Sequence, residues 1–72
     1  MNNKATKIYS LGRNIFEKRR ECGYSQNKLA DILDISREHL AKIETAKRTL
    51  SLDLLINIAD ALKIKVRDLI DF

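Results

Sequence analysis

Residues 26 to 45, QNKLADILDISREHLAKIET, constrain this chain more than any other stretch. They read as two short helices joined by a tight turn. Ser25 caps the first, because its hydroxyl can accept from an orphan N–H of the first turn, and Leu29, Ala30, Ile32 and Leu33 carry it forward. Asp34 stops it at a position that calls for left-handed backbone, which Asp tolerates better than a bulky residue does. Ile35 returns to the core, Ser36 caps the second helix, and Leu40 and Ile43 give that helix a buried stripe. Arg37, Glu38, His39, Ala41, Lys42 and Thr45 are left for its other faces. Ala30 is small where a second helix would cross the first closely, which favours a helix-turn-helix over an arbitrary hairpin.

The flanking segments extend the helical pattern. Residues 1–9 form a polar, basic lead-in with Lys4 and Lys7, expected as a frayed arm or a partial turn. The domain proper is expected over 10–72. Ser10 is placed as the cap of a first helix with Leu11 and Ile15 inward, and Gly23 stops it in left-handed backbone. Tyr24 is expected under the next helix. Beyond the basic connector AKRTL, Ser51 and Asp53 open a fourth helix, with Leu52, Leu55, Ile58, Ala59 and Leu62 at helical spacing. Ile64, Val66, Leu69 and Ile70 are expected to form a short fifth helix ending at Phe72. The expectation is an all-α, compact five-helix domain with no strand, repeat or low-complexity tract.

At 72 residues the chain makes one small domain, burying about 60% of its unfolded surface. Cys22 is the sole cysteine, so no internal disulfide forms, and a reducing cytoplasm is the expected setting. It reads as an apolar filler at a helix end. No apolar run approaches a membrane span and the N-terminus lacks a signal-peptide block, so a soluble protein without membrane contact is expected. One His and two glycines support no metal cluster, triad or phosphate-cradling loop, so neither an enzyme nor a cofactor or small-molecule ligand is expected. The net charge is +4, and residues 1–22 hold six basic and two acidic groups while residues 36–49 hold four and two. Such a surface suits a polyanion with the charge density of duplex DNA, although an ordinary solvated surface accounts for the charge equally well.

Leu11-Gly12 with Ile15 and Arg19, Gly23-Tyr24-Ser25-Gln26 with Leu29-Ala30, Ile35-Ser36-Arg37, Ile43-Glu44, Lys47-Arg48 and Ser51-Leu52 through Ala61-Leu62 form a joint pattern. In this order the chain resembles the lambda-repressor-like DNA-binding domains of phage repressors and Cro, the xenobiotic-response-element family, over about residues 10–70. The resemblance implies a dimeric, sequence-specific regulator of transcription, a repressor reading the major groove of double-stranded DNA with its third helix. It places Gln26 on a phosphate, and Arg37 and Glu38 at base edges beyond the Ser36 cap, with His39 nearby and Lys42 one turn on. Thr45, Lys47 and Arg48 would follow the DNA backbone. Arg19 and Glu44 match a partly buried ion pair tying the first helix to the third. Asp34, Ala46 and Leu50 depart from the Gly, Gly and Pro usual in relatives. Lys18 replaces a usually buried Leu, and Phe16 is a candidate for the missing apolar volume.

Plainer readings compete. Glu38 and Lys42 are four apart in the order that favours a surface ion pair without DNA. The alternative function is an antitoxin-like or adaptor subunit that covers a protein partner. For a homodimer interface, Leu54, Ile56, Ile70 and Phe72 are the candidates, with Phe72 equally able to fold back onto Leu11 or Leu69.

Overall fold

The computed structural model describes residues 3–72. Met1 and Asn2, part of the expected lead-in, lie outside the described residues. Four α-helices, α1 (Asn3–Glu21), α2 (Gln26–Leu33), α3 (Arg37–Glu44) and α4 (Leu52–Ala61), are followed by a 3-10 turn at Val66–Asp68, with no strand among the described residues. Helix α3 packs on α1 and α2, and α2 also packs on α4. The core between them is Ile15, Leu29, Ala30, Leu40, Ile43, Leu55, Ile58, Ala59, Leu62 and Leu69.

Two expected boundaries are corrected. Helix α1 starts at Asn3 rather than at Ser10, which lies mid-helix. The lead-in contains no helix breaker, and its Ile8 continues the Leu11 and Ile15 stripe one turn toward the N-terminus. Ile8, Leu11 and Gly12 line an apolar recess together with Ile43, Leu50 and Phe72. The expected fifth helix shrinks to one 3-10 turn. The Lys65 N–H donates to Asp68 Oδ2 at 2.9 Å, which satisfies the turn's first donor locally. Asn14 Nδ2 then donates to the Leu69 carbonyl and to Asp71 Oδ1, both at 2.9 Å, tying the tail to α1. Leu69 is driven into the core while Ile70 stays 42% exposed.

Other side chains also depart from expectation. Ile32 and Leu52 are exposed, because the inward face of α2 is Leu29, Ala30 and Leu33, and Leu52 is the first residue past its cap. Cys22 is exposed, with Sγ 3.6 Å from the Leu62 carbonyl, and is no core filler. Phe16 is half-buried outside the core cluster, so it does not replace the apolar volume lost at Lys18.

Three of the four expected serine caps are present: Ser25, Ser36 and Ser51 accept from the N–H of Lys28, His39 and Leu54 at 3.0, 3.0 and 3.1 Å. The C-terminal ends share one device. Each helix ends in a left-handed residue, Gly23, Asp34, Ala46 or Lys63, at φ between 58° and 78°. The next residue's N–H bonds back to the carbonyl five positions earlier, from Tyr24, Ile35, Lys47 and Ile64 to Arg19, Ala30, Lys42 and Ala59. Orphan carbonyls are thereby satisfied, but three of the four sites hold a residue with a Cβ that resists this backbone.

The one glycine inside a helix has the opposite requirement. A Cβ on Gly12 would lie 2.5 Å from the Ile43 carbonyl oxygen and 2.9 Å from that of Glu44, so α1 crosses the end of α3 backbone against side-chain-free backbone. Gly12→Ala gains about 1 kcal/mol of helix propensity. The clash is with backbone and cannot be relieved by a rotamer, so we expect a net loss of about 1–2 kcal/mol. Ala46→Gly, with φ at 61°, should instead stabilise by about 1 kcal/mol. Urea unfolding of the two variants checks the opposite signs.

Candidate nucleic-acid interface

Leu40 and Ile43 anchor α3 in the core, at 0% and 1% exposure, so the opposite side of that helix must face outward. Arg37, Glu38, Ala41, Lys42, Thr45 and Lys47 together line a shallow groove there. Five of the expected contact residues therefore share one surface. Arg37 Nη2 lies 3.5 Å from Glu38 Oε1, with both side chains about half exposed or more. Glu38 thus faces Arg37 rather than Lys42, so the competing Glu38–Lys42 ion pair is not formed, and Lys42 makes no ion pair among the described residues. An exposed pair of this kind is worth about 0–1 kcal/mol, so either member can exchange it for another partner at small cost.

The remaining candidates have more specific surroundings. Ser36 Oγ is occupied as the α3 cap and the His39 side chain is half-buried, and neither lines the groove. Thr45 Oγ1 donates to the Ala41 carbonyl at 2.8 Å, leaving its oxygen lone pairs outward. Arg48 is placed apart from this group, lining the apolar recess beside Lys4, Lys7 and Phe72. Among the proposed interface residues, Leu54 packs against the core, Phe72 lines the recess with Leu11 while staying 52% exposed, and Ile56 and Ile70 are 41% and 42% exposed.

The groove is supported from behind by a buried charge network. Arg19 Nε donates to Glu44 Oε2 at 2.7 Å and Nη2 to Oε1 at 3.1 Å, with the two side chains 6% and 2% exposed. Arg19 Nη1 also donates to the Tyr24 carbonyl at 2.8 Å, and Gln26 Nε2 donates to Glu44 Oε1 at 3.0 Å. One carboxylate on α3 therefore holds the end of α1 and the start of α2. The Gln26 bond was not legible from residue types, since Gln at a helix start reads simply as a polar first-turn residue.

A second feature missed in the sequence lies on α1. The guanidinium carbons of Arg13, Arg19 and Arg20 stand 5.0, 5.2 and 5.7 Å from the centre of the Phe16 ring. Spacings of three and four residues from Phe16 were the available signal. Among the described residues no group of His, Cys, Asp and Glu could hold a metal ion, and no helix is long and apolar enough to cross a membrane.

Comparison with known proteins bears on this geometry. A family model described as Helix-turn-helix matches residues 15–69. The restriction-modification controller protein C.AhdI from Aeromonas hydrophila is similar at a TM-score of 0.85 and 30% identity, covering 89% of this chain and 97% of its own. The clp gene regulator ClgR from C. glutamicum gives 0.86 and 25%, covering 89% and 82%. The hypothetical transcription factor NHTF from Neisseria, at 22% identity, is alike in fold, with a TM-score of 0.82 over 93% of this chain and 78% of that one. No curated protein matches by sequence.

The buried network generates a test. Glu44→Ala leaves the Arg19 guanidinium buried without its carboxylate, and should cost about 3–5 kcal/mol, a large share of the stability of a domain this small. Adding Arg19→Met to Glu44→Ala should recover part of that loss. A double-mutant cycle by urea unfolding reads the coupling, and additive losses would refute a shared network.

Proposed function

The chain belongs to the Cro/C1-type, xenobiotic-response-element helix-turn-helix family of DNA-binding transcription regulators, and on that premise we propose that it is a sequence-specific repressor that binds its operator as a two-fold dimer in the cytoplasm. The observation that carries this reading is the outward groove on α3, where Arg37, Glu38, Lys42, Thr45 and Lys47 meet with no apolar side chain larger than Ala41 between them. A helix anchored on one side and polar on the other suits the major groove, which admits one α-helix.

In this reading Arg37 bonds two acceptors of a guanine and Glu38 accepts from a cytosine amino group, once their mutual contact opens. Lys42 reaches a base or a phosphate one turn further along. Thr45 and Lys47 contact the sugar-phosphate backbone, with Arg48 extending the set of cations and Ser36 and His39 at the groove rim. Gln26 contacts a phosphate at the start of α2. The dimer reading rests on free apolar surface: Leu52 and Ile56 are one turn apart on α4, 67% and 41% exposed, with Ile70 at 42%. A small reader makes few base contacts, and pairing on half-sites one helical turn apart supplies the missing specificity.

Arg37→Ala should remove about 1–3 kcal/mol of discrimination at one base position, whereas Lys47→Gln should weaken binding to all duplexes alike. Selection from a randomised duplex pool with each variant distinguishes the two roles, and indistinguishable selected sequences would refute the assignment. Ile56→Asp should give a monomer in sedimentation and weaken operator binding while leaving the fold's circular dichroism unchanged.

A further inference from the structure

We propose that Phe16 and Arg20 form a phosphate-binding site on α1 that extends the DNA contact beyond the helix-turn-helix to the sugar-phosphate backbone flanking the groove; this rests on the DNA-binding reading above. The Phe16 ring carries three guanidinium groups within 6 Å of its centre. Of these, Arg19 is buried and bonded to Glu44, and Arg13 is shared with Glu17 at 3.1 Å. Arg20 is exposed and makes no ion pair among the described residues. A cation held against an aromatic face, without a carboxylate, is oriented but not neutralised, and that is the condition for receiving an anion from outside.

The position of the cluster identifies the anion. The Arg19 guanidinium has Phe16 at 5.2 Å from its central carbon, while its nitrogens hold Glu44 and the Tyr24 carbonyl. Glu44 Oε1 in turn accepts from Gln26, the residue proposed to meet a phosphate at the start of α2. A single guanidinium therefore links the Phe16 cluster to the network beneath the proposed contact surface. A polyanion seated on α2 and α3 would bring its next backbone phosphates toward Arg20. Arg13 is committed to Glu17 at 3.1 Å and Lys18 to Glu21 at 3.6 Å, and neither is part of the site.

The test is the salt dependence of binding to a nonspecific duplex, measured for the full chain, Arg20→Gln, Phe16→Leu and a charge-matched control, Arg67→Gln, which lies on the 3-10 turn. Each lost phosphate contact should make the slope of log K against log salt shallower by about 0.9. Arg20→Gln should show that change and Arg67→Gln should not. Phe16→Leu keeps every charge, yet should weaken binding at least twofold because Arg20 is no longer oriented. Equal slopes for Arg20→Gln and the full chain, or equal losses in the two arginine variants, would overturn the site and leave the patch to an acidic protein surface or to bulk charge. If the full chain itself bound duplex without salt dependence, the DNA-binding reading would fail first, and the site with it.

Discussion

The structure depends on one buried carboxylate. Glu44 is taken from water at the end of α3, and a charge in that position is tolerable only when its lone pairs are filled. Two nitrogens of Arg19 and one of Gln26 donate to its two oxygens, and no buried side-chain polar atom among the described residues lacks a partner. The partners come from α1 and α2, so satisfying this charge fixes three helices relative to one another. Gly12, two turns before Arg19, lets the same α1 approach the backbone of Ile43 and Glu44. Helix α1 thus grips the end of α3 at two points, through absent side-chain volume at one and through charge at the other.

That grip explains why the outer face of α3 can carry so little internal bonding. Its orientation is set from behind, by Leu40, Ile43 and Glu44, and nothing on the groove side is needed to hold the helix in place. Arg37 and Glu38 meet only through an exposed 3.5 Å contact, and Lys42 has no ionic partner among the described residues. Side chains that do not support the fold are available to an external partner, and the energy of ordering them falls on binding rather than on folding.

The parts of this arrangement written in local chemistry were readable in the sequence. Three serines before apolar periods marked three helix starts, and Leu29, Leu40, Ile43, Leu55, Ile58 and Leu62 marked the core, because capping and period-3.6 burial act over a few residues. Asp34 and Gly23 marked two ends for the same reason. The start of α1 and the end of the chain were not readable, since both depend on contacts across the fold: Ile8 gains cover only once Leu50 and Phe72 line the recess with it, and Asn14 becomes a tether only once Leu69 arrives beside it. Lys63 gave no signal at all for a left-handed position, because Lys carries no preference for it. In the site, residue types and order brought Arg37, Glu38, Lys42, Thr45 and Lys47 onto one surface, but the partner of Glu38 and the position of Arg48 were decided by side-chain rotamers and by the connector's course.

Gln26 is where fold and surface meet, and its chemistry permits both roles at once. A side-chain amide has two N–H donors on one nitrogen. One of them goes to Glu44 Oε1 at 3.0 Å, which leaves the second hydrogen on the same nitrogen, and a phosphate oxygen is an acceptor of the right kind for it. Contact with DNA at this residue therefore does not require the buried bond to break. A phosphate bound there would share the Nε2 donor with Glu44, so the two bonds would compete for one amide's polarity while both remain geometrically possible.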